Sequence, residues 1–264
     1  MSHTREEKLQ AFDKVLDVLE TLRVKCPWDR KQTNESLRPN TIEETYELCD
    51  ALMAEDNVNI CKELGDVLLH VVFYSKIGEE KEAFDFADVC TKLTDKLIYR
   101  HPHIYGNVQA DTAEAVIGNW EKLKQSEKDG NKTVLGGVPK ALPALIKAER
   151  IQEKAANVGF DWEKREDVWA KVKEEVSEVE AEIEGKDAKR LEAEFGDLLF
   201  AVINAARLYG VKPENALEHT NRKFIDRFNY IEAGAKAQGK KVSDLTLAEM
   251  DALWDEYKTK NENR

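Results

Sequence analysis

The sequence predicts an all-α protein made of two tandem helical domains, from a helix-favouring composition, apolar residues at helical spacing, and repetition of one motif set along the chain. Of its 264 residues, 42% are hydrophobic and 35% charged, with only 13 Gly and 6 Pro. That balance belongs to amphipathic helices rather than to turn-rich or low-complexity chains. The length allows two domains that each bury a core. No segment has a convincing strand pattern.

The repetition is clearest in the acids. Glu43-Glu44-x-x-Glu47 precedes Glu63-Leu64-Gly65-Asp66, and Glu174-Glu175-x-x-Glu178 precedes Glu194-Phe195-Gly196-Asp197, each acid recurring at an offset of 131. Lys96-Leu-Ile-Tyr-Arg100 recurs as Lys223-Phe-Ile-Asp-Arg227, and Trp120-Glu-Lys-Leu-Lys124 as Trp254-Asp-Glu-Tyr-Lys258. So long a period indicates a duplicated domain, not a solenoid. The first domain is expected over 1–124 and the second over 139–264. Between them, the polar run Gln125 to Lys132 and Gly136-Gly137-Val138-Pro139 place a linker at 125–138.

In chain order, Cys26-Pro27-Trp28-Asp29 and Pro39 mark a loop. Tyr46, Cys49, Leu52 and Met53 then form an apolar stripe, on a helix whose start holds the first acid cluster. A break over Ala54 to Asn59 leads to a second helix with Leu64, Val67, Leu68, Val71 and Val72 on one face. The second copy has its break at Gly185-Lys186-Asp187, followed by Leu191, Leu198, Leu199 and Val202.

A net charge of −12 argues against a general affinity for nucleic acid or anionic membranes. The polar start, Met1 to Gln10, and the lack of any long apolar run predict neither a signal peptide nor a membrane span, hence a cytoplasmic protein. Cys26, Cys49, Cys61 and Cys90 have no C-x-x-C pairing, so reduced thiols are expected rather than a zinc site or disulfides.

Helical residues three apart share a face, so Glu44 with Glu47 and Glu63 with Asp66 form carboxylate pairs. In an antiparallel hairpin, Glu44 opposes Asp66 and Glu47 opposes Glu63 when the turn centres near Glu55. The second copy centres on Lys186, inside the break already identified. Four carboxylates beside an apolar face repel one another unless a cation compensates. Hard oxygen ligands, with no His or Cys repeated among them, point to Mg²⁺ or Mn²⁺. A di-iron bundle would need Glu-x-x-His where Asp stands here.

Comparing the copies filters other readings. Thr41, three before Glu44, fits a capping box, but Val172 stands three before Glu175 and cannot cap. His70 corresponds to Ala201, so it reads as structural, and His101-Pro102-His103 has no counterpart and no assigned role. Lys96 with Arg100, and Lys223 with Arg227, could present paired cations to phosphate or form a solvated basic face. Trp120 and Trp254 could stack on a base or anchor a core.

Together, E-E-x-x-E, E-x-G-D, the downstream K-x-x-x-R and the Trp resemble the MazG-type nucleoside triphosphate pyrophosphohydrolases. Lys25-Cys-Pro-Trp-Asp29, Arg100-His-Pro-His103 and Asn157-Val-Gly-Phe-Asp-Trp162 extend the resemblance over nearly the whole chain. It implies a homodimer whose helical bundles are completed by dimerisation, and Mg²⁺-dependent hydrolysis of nucleoside triphosphates to monophosphate and pyrophosphate. By the resemblance, Glu175, Glu178, Glu194 and Asp197 hold metal, with Glu175 and Glu178 catalytic, and Lys171, Lys223, Phe224, Arg227 and Trp254 contact nucleotide. The first-copy set is Glu44, Glu47, Glu63 and Asp66 for metal, with Lys96, Arg100 and Trp120 for nucleotide. Asn40 stands at the offset of Lys171, so the second copy is expected to be the principal active site. The alternatives are a narrower-substrate relative, such as a dUTPase or phosphoribosyl-ATP pyrophosphatase, and a non-catalytic helical interaction protein.

Overall fold

A computed structural model describes residues 2–109, 133–185 and 187–261, with the single positions 112, 116 and 123. The chain forms two compact units, Met1–Val116 and Ile117–Arg264. Among the described residues there is no strand.

In the first unit, α1 (Arg5–Lys25) starts at a capping box between Thr4 and Glu7. After a short 3₁₀ turn at Asp29–Lys31 come α2 (Asn34–Met53), α3 (Asn57–Glu80), α4 (Phe86–Arg100) and the single turn α5 (Pro102–Tyr105). Helices α2 and α3 form the expected hairpin. Its turn holds Glu55 in the left-handed region at φ 52°. Asp56 then caps α3 by accepting from the Val58 and Asn59 N–H groups at 3.1 and 3.2 Å. The break is thus shorter than expected. The core joins Leu19 of α1, Leu37 of α2, and Val72, Phe73 and Ile77 of α3.

The start of α2 corrects the sequence reading. Pro39 lies inside the helix, Thr41 does not cap it, and the acids sit mid-helix. Thr33 is the N-cap, exchanging hydrogen bonds with Ser36 at 2.9 and 3.1 Å. Burial of Leu37 to 2% exposure fixes the first turn, and this tertiary anchor outweighs the one backbone hydrogen bond that Pro39 cannot donate. The Thr41 hydroxyl instead donates to the Leu37 carbonyl at 3.0 Å.

Arg23 ties the loop after α1 to the hairpin. Its guanidinium donates to both Glu80 carboxylate oxygens at 2.7 Å, and to the carbonyls of Gln32, at 3.0 Å, and Asp29. It also lies 5.5 Å from the centre of the Phe73 ring.

The second unit contains α6 (Ala144–Ala156), α7 (Val168–Gly185), α8 (Ala188–Leu208), α9 (Pro213–Ala237) and α10 (Leu247–Asn261). Helices α7 and α8 pair through Val168, Val172, Ala201 and Ala205. The predicted turn centre, Lys186, lies outside the described residues. Helix α6 packs on α8, where buried Gln152 donates from Nε2 to the Phe200 carbonyl at 2.8 Å. A further core of Ile231, Ala235 and Leu245 joins α9 to α10.

Candidate active site

Each hairpin brings three of its four repeated acids together. Glu44, Glu63 and Asp66 each offer a carboxylate oxygen within 4.8 Å of the others, and so do Glu175, Glu194 and Asp197. Glu47 and Glu178 are exposed beside these triads. Three residues along a helix rotate by about 300°, leaving each offset by about 60° from the acid preceding it. Glu178 remains joined to its triad by a hydrogen bond with Glu175.

The copies bury different acids. Glu63 is the buried member of the first triad and Glu175 of the second, each at 5% exposure. A buried carboxylate needs a compensating cation, and each receives a lysine from its own helix. Lys62 Nζ lies 2.8 Å from Glu63 Oε1 and 3.8 Å from Asp66 Oδ2. Lys171 Nζ lies 2.6 Å from Glu175 Oε1 and 2.9 Å from Glu174 Oε1. Hydrogen bonding to these glutamates raises the pKa of both lysines. Sequence reading missed Lys62. Its spacing to Asp66 is visible in the sequence, but Ala193 occupies the corresponding place in the second copy, so the repeat does not mark it.

The triads fit a small hard cation. They supply only oxygen donors, and Glu63 Oε2 is buried with no hydrogen-bond partner among the described residues. Burial first, and then the charges of Asp66, Glu47, Glu63 and Glu43, raise the pKa of Glu44. The hydrogen bond with Glu175, then burial and the neighbouring carboxylates, raise that of Glu178. A raised pKa means proton uptake begins above the ordinary value of 4.5, and a proton competes with a metal ion. Mg²⁺ titration calorimetry from about pH 8 down to about pH 5 should therefore show affinity falling before ordinary glutamates titrate. Glu44→Gln and Glu178→Gln should each flatten that dependence at their own site.

The other repeated residues form a different grouping. Arg227 lies 4.8 Å from the Trp254 ring centre, and the Phe224 ring meets that indole edge-on at 5.2 Å. Trp254 also packs on the core between α9 and α10, so it both anchors a core and seats a cation. Lys223 is exposed one turn before Arg227. In the first unit, Lys96 is exposed and Arg100 half-buried on the last turn of α4, while Trp120 lies outside the described residues. His70 is structural, as expected. It is buried, its Nδ1 is 3.0 Å from the Thr41 hydroxyl, and that hydroxyl lies 2.6 Å from the Tyr74 hydroxyl.

Comparison with known proteins finds one domain twice in the chain. The model of the MazG nucleotide pyrophosphohydrolase domain matches residues 32–105 and again 163–231. The chain is 40% identical over 257 residues to the nucleoside triphosphate pyrophosphohydrolase of Escherichia coli K12, covering 95% of this chain and 98% of that protein. It is 42% identical over 250 residues to the nucleoside triphosphate pyrophosphohydrolase/pyrophosphatase MazG of Thermotoga maritima, covering 94% and 95%. It is also 45% identical over 260 residues to YabN of Bacillus subtilis, covering 96% of this chain and 53% of that protein. With two matched domains, each carrying a converged acid triad, the chain belongs to the MazG nucleotide pyrophosphohydrolase family.

Proposed function

We propose that the α7–α8 hairpin is the principal active site of a Mg²⁺-dependent enzyme that hydrolyses nucleoside triphosphates to nucleoside monophosphate and pyrophosphate. The observation that carries this reading is the Glu175, Glu194 and Asp197 triad with Lys171 already paired to its buried member. Glu175, Glu194 and Asp197 would hold Mg²⁺, with Mn²⁺ a substitute. When bound, the ion supplies positive charge that offsets the phosphate oxygens and acidifies the attacking water.

Water attacks the α-phosphorus, the bond from that phosphorus to the α–β bridging oxygen breaks, and pyrophosphate leaves. Glu178, hydrogen-bonded to Glu175 and outside the triad, takes the proton from the water. Lys171, which lies 2.6 Å from Glu175 Oε1, would contact the phosphates. Lys223 and Arg227 meet the leaving phosphates, and Trp254 with Phe224 holds Arg227 in place.

The first triad would be a second Mg²⁺ site, with Lys96 and Arg100 as its candidate nucleotide contacts; Trp120, the third candidate, lies outside the described residues. This first copy lacks a lysine at the Lys171 position, where Asn40 stands. A cytoplasmic homodimer is the working form. In the first unit Leu93, Leu97 and Ile98 of α4, a helix with no buried residue, and in the second unit Phe195, Leu199 and Val202 of α8 are exposed large apolar side chains, so each unit by itself has an apolar face suited to a second copy.

Product analysis decides the reaction. With ATP and Mg²⁺, AMP and pyrophosphate are expected in equal amounts, and EDTA abolishes both. Release of orthophosphate and ADP without pyrophosphate would overturn the assignment.

A further inference from the structure

The two triads differ in what stands among their carboxylates. Lys62 of α3 comes directly before Glu63 and four residues before Asp66, a spacing that puts it on the same helical face as the aspartate. Its Nζ lies 2.8 Å from Glu63 Oε1 and 3.8 Å from Asp66 Oδ2, so it meets two of the three acids that converge there. Lys171 of α7 meets Glu175 at 2.6 Å and Glu174 at 2.9 Å, one acid inside its triad and one outside. The place of Lys62 in the second copy is held by Ala193, which brings no charge.

Electrostatics favours this placement. Glu44, Glu63 and Asp66 offer oxygens within 4.8 Å of one another, and carboxylates so close call for a counterion. Lys62 supplies one positive charge from the same helix. Because it is tethered, it is at hand whatever the concentration of dissolved ions. Its nearest partner, Glu63, is only 5% exposed and has lost most of the hydration that a carboxylate enjoys in water.

Lys62 nevertheless fills the site only in part. Glu63 Oε2 is buried with no hydrogen-bond partner among the described residues, while the ammonium donates to Oε1. The oxygen left over is an acceptor that a small divalent ion can meet. The lysine side chain is 62% exposed, so it can leave for water at little cost. A divalent ion and the ammonium thus contend for the same oxygens, the ion with the greater charge and the lysine with the tether.

We infer that Lys62 is a built-in competitor for the first triad, which makes that site the weaker of the two for Mg²⁺ and sets the Mg²⁺ concentration at which it fills. The inference rests on the reading of both triads as Mg²⁺ sites. The second triad, with Ala193 at this place and Lys171 shared with Glu174, fills first. Two copies of one motif then answer to different levels of the same ion.

The test is calorimetric titration of MgCl₂ into the metal-stripped full chain, with the first-triad event identified by its loss in Glu63→Gln and the second by its loss in Glu175→Gln. In the wild type the first event should be about tenfold the weaker. Lys62→Ala should tighten it about tenfold, the scale of one charge-assisted hydrogen bond, and leave the second unchanged. Lys62→Arg, which keeps the charge, should remain weak. The tightening should persist in about 0.3 M KCl, where exposed charges more than roughly 6 Å apart are screened, because Lys62 acts by contact. Thermal unfolding supplies a second readout: MgCl₂ should raise the melting temperature of Lys62→Ala more than that of the wild type. Equal affinity of the two triads in the wild type overturns the inference, as does unchanged or weaker affinity at the first triad in Lys62→Ala, or a tightening that vanishes in KCl. Absence of Mg²⁺ binding at both triads in every variant overturns it together with the metal reading on which it rests.

Discussion

Glu175→Gln is expected to lower the rate of pyrophosphate release by on the order of 10²–10³, the scale seen when one preorganised charge is removed from a transition-state site. The substitution keeps the shape of the side chain but removes the charge that Lys171 meets at 2.6 Å. It also removes the buried member of the triad, which makes the largest contribution to holding a cation away from water. Because the amide can still accept a hydrogen bond from Lys171, helicity and melting should change little. Glu63→Gln, at the buried acid of the first copy, should leave turnover within about twofold and weaken only one of the two Mg²⁺ binding events. If Glu63→Gln abolishes turnover and Glu175→Gln does not, the principal site belongs to the α2–α3 hairpin.

The second large effect is on stability. Arg23→Ala should destabilise the first unit by about 2 kcal/mol, because a guanidinium only 10% exposed loses its hydrogen bonds to two carbonyls and to the exposed Glu80 carboxylate. Four interactions go at once: the two-point contact with Glu80, the carbonyls of Asp29 and Gln32, and the stacking on Phe73. Glu80 contributes in the same direction, since the Arg23 guanidinium lowers its pKa. A folded-state pKa below the unfolded value gives stability that is present above the unfolded pKa and lost as pH falls through the folded one. Thermal unfolding near neutral pH should therefore show a lowered first transition in Arg23→Ala. Below the ordinary glutamate range the gap between variant and wild type should narrow.

Much of the fold was legible because helical spacing and duplication reinforced each other. Leu64, Val67 and Leu68 marked α3, and the opposition of Glu44 to Asp66 placed a turn near Glu55, where the chain does reverse. Pro39 misled because a local rule was applied without the tertiary burial of Leu37 that overrides it. The acid sites were legible as four positions, but their division into triad and neighbour was not, since it depends on the rotation of one helix against another. Lys62 escaped for a different reason: Ala193 stands at its place in the other copy, so repetition does not mark it.

That difference between the copies follows from the duplication. When a symmetric homodimer is assembled from identical single-domain chains, any substitution in one site appears in every site, and none can be altered alone. Here two hairpins with the same acids are encoded at different places in one gene. Lys62 could enter the first without appearing in the second, and Lys171 the second without the first. Selection can thus hold one site to its chemistry while the other drifts, and an experimenter can silence either by a single codon change while the other serves as an internal control.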